Sequence, residues 1–457
     1  MLSDKNQFEK SPREKVLNLY KKWHYNVYMQ RHLLDDLKNW KDSRNRKPLI
    51  IRGARQVGKT WLMKEFGRTC FAKTAYINFD NNQRMKSVFE GNLEPARLIQ
   101  AFNAETGVDI QSNDTLIIMD EVQEVPRALT SLKYFNEDAP EYTIVAAGSL
   151  LGIALHEGTS FPVGKVDFMD LYPLNFREFL QATGDGRFCD LLLSDDTKMM
   201  TAFKSKYIER LKEYFYVGGM PEAVNEFIQT KDFTKVRSVQ KNLLEYYKQD
   251  FSKHAPNKEV PRLNLIYNSI PSQLAKENKK FIYGALKKSA RAAEYEVALQ
   301  WLIDCGLVHK ISRIKKGDIP LIAYIDLGAF KLYLNDVGLL CAMGDIDSKT
   351  IIDGSKIFEE FKGALTEQYV LQQLISDCKI KPYYFSADNS TAEIDFIIQK
   401  GENVIPIEIK AAENLQAKSL KMYHQKNQNP ISIRTSLSDF RQDDWLTNIP
   451  LYDVCRI

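Results

Sequence analysis

The segment "GARQVGKT", Gly53 to Thr60, follows directly on the apolar run "PLIIR". It satisfies G-x-x-x-x-G-K-[ST] in full. No other stretch restricts the fold as much, because such a loop needs a buried strand before it and a helix N-terminus after it. The glycines let the backbone curl so that its N–H groups point at a phosphate. Lys59 supplies a point charge to the β- and γ-phosphates, and Thr60 offers a hydroxyl to Mg²⁺. The helix from Trp61 onward aims its positive end at the same anion. Gly53, Ala54, Arg55, Gln56, Val57, Gly58, Lys59, Thr60 and Trp61 together form the candidate nucleotide-binding element. Taken alone, an eight-residue pattern of this kind also arises as a chance Gly-rich turn.

A second element answers that alternative. "TLIIMDE" places three aliphatic residues and a Met between Thr115 and the carboxylates Asp120 and Glu121. A buried strand ending in two carboxylates suits a Walker B site. Asp120 would hold Mg²⁺ through water, and Glu121 would orient the attacking water. The next strand-like run, "TIVAAGS", ends at Ser149, which either touches the γ-phosphate or water or is a plain strand-end turn residue.

At 457 residues the chain is long enough for two to four domains. A net charge of +4 does not suit a chain coated for nucleic acid from end to end. The six cysteines are scattered with no CxxC or zinc-ligand spacing. That usage predicts a reducing, cytoplasmic setting. No apolar run is long enough to predict a membrane span, and the start lacks a signal-peptide core.

Bursts of β character alternate with helical stretches through residues 47–200, which predicts a parallel sheet covered on both faces. Residues 1–46 read as a helical segment after a loose basic start. Residues 201–275 are helical and aromatic, broken just inside by the sharp turn "VGGMP". Residues 276–345 read as helix, turn, helix and β-wing. Within them, 276–318 hold ten Lys/Arg against five Asp/Glu, a net +5. Residues 350–457 begin with a helix and continue with "AEIDFIIQ" and "VIPIEIKA" as strands.

"PLIIRGARQVGKTWLMKEFG", "LIIMDEVQEVP", "AAGSLLG", "LYPLNFREFL" and "YFYVGGMPEAV" resemble the AAA+ ATPases of bacteria and archaea that carry a C-terminal domain of unknown function. "FKLYLNDVGLL", "EIDFII" and "PIEIKA" resemble that C-terminal part. The resemblance spans about residues 28–435. It implies an α/β fold: a P-loop AAA+ parallel sheet with a helical lid, then a winged helix and a small PD-(D/E)xK nuclease-like domain. It implies phosphate binding by Gly53, Gly58, Lys59 and Thr60, metal and water duties for Asp120 and Glu121, and a sensor role for Ser149. It also implies ATP and Mg²⁺ as ligands and a homo-oligomer. Before "LYPLNF" the family usually shows Gly-Arg, whereas this chain has Lys165, which lacks the planar fork of an arginine. Arg177 is the substitute candidate for a residue reaching a neighbour's nucleotide; its alternative is a solvated helix residue.

Period two puts Glu393 and Asp395 on one strand face, and Glu408 and Lys410 on another. A tight turn at Gly401–Glu402 would set Asp395 opposite Glu408. Facing carboxylates repel unless a cation compensates them. Mg²⁺ or Mn²⁺ held by Asp395 and Glu408, with Lys410 beside it, would serve phosphodiester cleavage. The nuclease resemblance adds Glu367 as a third oxygen donor. The alternative is an amphipathic hairpin with one wet face. Two functions follow: an ATPase coupled to a DNA-contacting winged helix and a nuclease, or an ATPase switch whose C-terminal domain is silent and binds DNA or a protein.

Overall fold

The computed structural model describes residues 29–148, 162–276, 279–353, 359–387, 393–411, 417–427 and 431–457. Helix α1 (Leu33–Lys41) opens with Asp35 and Asp36 and closes with Lys38 and Lys41, the charge order that suits a helix dipole. After it come β1 (Leu49–Arg52), α2 (Lys59–Cys70), β2 (Lys73–Asn78), α3 (Gln83–Glu90), α4 (Pro95–Thr106), β3 (Thr115–Asp120), α5 (Pro126–Asp138), β4 (Thr143–Ala147) and β5 (Asp167–Asp170). The five strands form one parallel sheet in the order β2-β3-β4-β1-β5. β3 and β4 are buried at every residue, as the continuous apolar runs of a sheet covered on both faces should be. Alternate residues feed two cores. Ile117 and Met119 pack with Phe102 and Phe135, while Leu116 and Ile118 pack with Phe66. The chain runs from β1 out to β2, returns through β3 and β4, and then crosses to β5 beyond β1. Strand order therefore reverses beside β1, and the crevice past its C-terminal end is the natural ligand position in such a sheet.

Helices α6 (Phe176–Ala182), α7 (Gly186–Leu192), α8 (Thr197–Ala202), α9 (Lys204–Val217), α10 (Pro221–Thr230), α11 (Phe233–His254) and α12 (Val260–Leu274) follow. Asn175 and Glu178 close a full capping box on α6. Within residues 276–345, where the sequence reads as helix, turn, helix and β-wing, the structure has α13 (Ala292–Asp304) and the antiparallel pair β6 (Val308–Ile314) and β7 (Ile325–Leu334), and α12 ends just before them. Then come α14 (Val337–Met343), α15 (Ser348–Asp353), α16 (Glu359–Ser376), β8 (Tyr383–Ser386), β9 (Glu393–Lys400), β10 (Asn403–Ile409), α17 (Lys418–Asn427), β11 (Ser432–Ser436), β12 (Arg441–Gln442) and β13 (Leu446–Pro450).

The boundary expected at residues 345–350 does not separate one sheet from another. β6 pairs in parallel with β8 through Arg313↔Tyr384 and Ile314↔Phe385. The β6–β7 hairpin thereby extends the C-terminal sheet to eight strands among the described residues, ordered β12-β13-β11-β10-β9-β8-β6-β7. Ile314 shares a small apolar core with Ile394, Ile397 and Leu420. Joining the hairpin to the C-terminal strands pairs one strand edge on each.

Between β5 and β6 lies a cleft of about 1480 Å³, lined by Gly53 and Tyr172 on one side and by Gly306, His309 and Lys381 on the other. The His309 and Tyr172 rings stand 6.0 Å apart. Burial, helped by the Lys381 charge, pushes the His309 imidazolium down from 6.5 to about 4. The unfolded chain thus binds a proton between those values that the fold refuses. Stability from this source is present above pH 6.5 and lost as pH falls towards 4. The ring keeps some of its surface in water, so the full ~3 kcal/mol implied by such a shift shrinks to about 1–2 kcal/mol. His309→Phe should flatten the acid limb of a denaturation-midpoint curve over that range. A limb as steep as the wild type's would refute the assignment.

Candidate functional site

The Walker loop lies in the crevice at the end of β1. Gly53 sits against the chain leaving β5, and a Cβ there would come 2.2 Å from the Leu171 carbonyl oxygen. Its φ of 146° adds a conformational reason for glycine. Gly58, at φ 97°, is the N-cap residue of α2. Lys59 Nζ donates to the carbonyls of Gly53 at 2.8 Å and Ala54 at 2.9 Å. Burial pushes this ammonium down to about 8, against the opposing pull of Glu121 and Asp120. Tyr247 of α11 donates its hydroxyl to the Arg55 carbonyl at 3.0 Å, and Arg31 Nη1 donates to the Val57 carbonyl at 2.8 Å. Arg55 itself is ion-paired with Asp250 of α11. Four loop carbonyls are thus engaged by donors, and an anion needs the complementary N–H groups. Gln56, at φ 66°, and Trp61, at the start of α2, complete the loop.

Parallel pairing sets Asn78 beside Asp120. One carboxylate oxygen of Asp120 accepts the Thr60 hydroxyl at 2.7 Å and the Tyr76 hydroxyl at 2.9 Å. A hydroxyl and a carboxylate brought together at the foot of a phosphate loop are hard oxygen donors, and they fit Mg²⁺. Glu121 occupies the left-handed region at φ 53°, which is strained for a non-glycine residue. Its Oε2 accepts from Gln123 Nε2 at 2.6 Å. The Gln123 amide therefore holds the carboxylate in one orientation.

Ser149 lies outside the described residues. Lys165 pairs with Glu137 at 2.9 Å. Arg177 is not a solvated helix residue: its Nε donates to Asp377 at 2.8 Å, and its side chain is 17% exposed. It ties α6 to the end of α16. Both cations expected to face a neighbouring nucleotide are therefore engaged within this chain.

At the C-terminus the predicted turn holds. Asn403 faces Lys400 across Gly401–Glu402, and the same register carried onward sets Glu408 beside Asp395. Asp395 Oδ2 accepts the Ile409 N–H at 2.7 Å, and Lys410 Nζ donates to Glu408 at 2.6 Å. Glu408 Oε2 is buried with no hydrogen-bond partner among the described residues. Glu367, on α16, is ion-paired with Lys279, accepts the Tyr333 hydroxyl at 3.0 Å, and lies 3.8 Å from Lys331 Nζ. Lys331, fully buried on β7, also pairs with Glu393. Four carboxylates thus meet three ammonium groups. The excess negative charge falls on Asp395, which burial and its neighbours Glu367 and Glu408 hold well above the usual carboxylate range. Among the described residues no group of three or more His, Cys, Asp or Glu is arranged to hold a metal. The set Glu367, Asp395 and Glu408 does not fit Mg²⁺ or Mn²⁺ in this arrangement, because lysines take the place of the cation.

The +5 charge of residues 276–318 does not gather on α13. The exposed residues of α13 include Glu294, Glu296, Val297 and Gln300, whereas Lys287, Lys288, Arg291, Lys315 and Lys316 are exposed on its flanks. Sequence reasoning missed Arg31, Tyr76, Gln123, Tyr247, Lys279 and Lys331. Of these only Lys331 had a readable signal, a lysine inside the apolar strand "AFKLYL".

No helix among the described residues is long and apolar enough to cross a membrane. Comparison with solved structures finds a Walker-type ATPase of Pyrococcus abyssi at 14% identity, covering 69% of this chain and 96% of that one, with a TM-score of 0.43. It also finds the ORC1 protein of Aeropyrum pernix in complex with DNA, at 11% identity, 70% and 94% coverage and a TM-score of 0.27. Cdc6p of Pyrobaculum aerophilum stands at 13% identity, 76% and 95% coverage and 0.23. No curated protein matches the chain. Residues 208–350 and 362–454 match two domains of unknown function, DUF8612 and DUF4143. Residues 45–180 match the family described as "AAA domain", and with the Walker loop at the end of β1 they form a P-loop core of the AAA+ type.

Proposed function

We propose that the chain binds ATP with Mg²⁺ at residues 53–61 and hydrolyses it. The observation that carries this is Lys59, a buried ammonium whose hydrogen bonds among the described residues go to two loop carbonyls, where a phosphate would favour the charge that burial disfavours. Lys59 and the loop N–H groups bind the phosphates, Thr60 and Asp120 hold the metal, and Glu121 orients the attacking water and takes its proton. Mg²⁺, when bound, neutralises charge developing on the phosphate oxygens.

Of the two functions open from sequence, the internal lysine pairing of Glu367 and Glu393 favours the ATPase switch with a catalytically silent C-terminal domain. The exposed lysines flanking α13 support a polyanion such as DNA as partner, reached by the flanks. Assembly into a homo-oligomer on binding nucleotide belongs to the same proposal. The test is Mg²⁺-dependent phosphate release from ATP by wild type and by Lys59→Ala. Loss of the charged contact should cost about 1.5–3 kcal/mol of ATP affinity. Wild-type turnover that Lys59→Ala leaves unchanged refutes the site, and metal-dependent DNA nicking by wild type refutes the silent domain.

A further inference from the structure

Three segments outside the phosphate-binding machinery meet at one buried point. They are "LYPLNF", leaving β5, "YVGGMP", between α9 and α10, and "YLNDVG", between β7 and α14. Asp336 lies at their centre and is fully buried. Its Oδ2 accepts the Gly219 N–H at 2.6 Å and Gln372 Nε2 at 3.3 Å, and its Oδ1 accepts the Leu339 N–H at 3.0 Å. The Gly219 carbonyl accepts the Leu174 N–H at 2.7 Å. Contact leaves no slack. A Cβ on Gly218 would stand 2.1 Å from Asp336 Oδ1, and one on Gly338 would stand 2.5 Å from the Val217 oxygen.

The turn held in this way borders the Walker loop. Pro221 Cγ lies 3.7 Å from the position of a Cβ on Gly58. Met220 Sδ is 4.0 Å from the Tyr247 hydroxyl that binds the Arg55 carbonyl. On its other side the joint reaches the C-terminal sheet through α16. Gln372 accepts the Val337 N–H at 3.0 Å, and Gln368 bonds both backbone groups of Leu334. Next to Gln368 on α16, Glu367 carries the lysine pairs described above.

We infer that Asp336 is a positioning residue for the nucleotide site: it fixes the Gly218–Pro221 turn against the Walker loop and ties ATP affinity to the placement of α16. Asp336 touches no nucleotide atom. It acts by holding Gly219, and through Met220 and Pro221 it holds the wall beside Gly58 and Arg55. The inference rests on the nucleotide reading above. Reciprocity requires that ATP, in turn, tighten the joint.

The experiment uses the full chain, a fluorescent non-hydrolysable ATP analogue with Mg²⁺, and steady-state ATP turnover. Asp336→Asn keeps the volume but sets an amide donor against one of two N–H groups. Gln372→Leu removes the side-chain link to α16 while leaving the carboxylate in place. Each should weaken analogue binding and raise KM about tenfold, with kcat held within about twofold. Leu420→Ala, in the separate apolar cluster beneath β9, serves as a stability control. It should lower the unfolding midpoint and leave KM unchanged. Unchanged KM in folded Asp336→Asn and Gln372→Leu overturns the inference, as does an equal rise in Leu420→Ala. In wild type, the analogue should slow hydrogen exchange at the Gly219 and Leu339 amides. Unaltered exchange there overturns the inference even where a variant does not fold. A wild type that binds no analogue overturns the nucleotide reading itself, whereas binding without these effects removes only the joint.

Discussion

Glu121→Gln should bind ATP as tightly as the wild type and turn it over roughly 10²- to 10⁴-fold more slowly. The amide keeps the size of the carboxylate and still accepts from Gln123, so the left-handed turn at residue 121 and the neighbouring Asp120 stay in place. What is lost is the charge that polarises the attacking water. Filter binding of labelled ATP, run beside phosphate release, separates the two quantities. A fall in both would mean that the substitution had damaged the loop rather than the chemistry. Equal turnover in wild type and Glu121→Gln would remove Glu121 from its role, while binding by Lys59 and the loop would stand.

The second large effect is on stability. Lys331→Met replaces a fully buried ammonium with an apolar chain of similar length, and it removes the cation that Glu367 and Glu393 share. An uncompensated buried charge of this kind costs about 3–5 kcal/mol. The urea midpoint of the full chain should fall accordingly, and Glu393→Gln added to Lys331→Met should recover some of the loss. Mg²⁺ or Mn²⁺ should leave the wild-type midpoint unmoved at this cluster and raise that of Lys331→Met, since removing the internal cation opens a place for an external one. A metal-dependent rise confined to wild type would mean that the carboxylates serve a metal after all.

The elements that proved legible were those whose reason is local. The Walker loop, the strand ending at Asp120 and the hairpin over Gly401–Glu402 each follow from a spacing of a few residues. The charge balance at the C-terminus is not local. Glu393, Asp395 and Glu408 could be placed from strand period and turn length, and Glu367 from the resemblance, but the lysines beside Glu367 and Glu393 are Lys279 and Lys331, on segments whose docking no local pattern reports. The union of β6 with β8 was hidden for the same reason. It joins residues about seventy positions apart by only two paired positions, and both strands look complete as members of separate sheets. Arg177 shows the converse difficulty. Its sequence surroundings suit a solvated helix face, and only the arrival of Asp377 from α16 makes it an internal tie.

The shared sheet also bears on how this chain can be dissected. A fragment beginning at residue 350 would carry β8 without β6, so one side of that strand would offer bare N–H and C=O groups to any passing chain. Ile394 and Ile397 would lose the cover of Ile314 in the same cut. An uncovered, apolar-backed edge is a template for intermolecular pairing, and the natural fate of such a piece is self-association into aggregates. A severable unit must therefore keep β6 and β7, so a C-terminal piece in which β8 retains its partner begins upstream of Val308, although one family match ends at residue 350 and the next starts at 362.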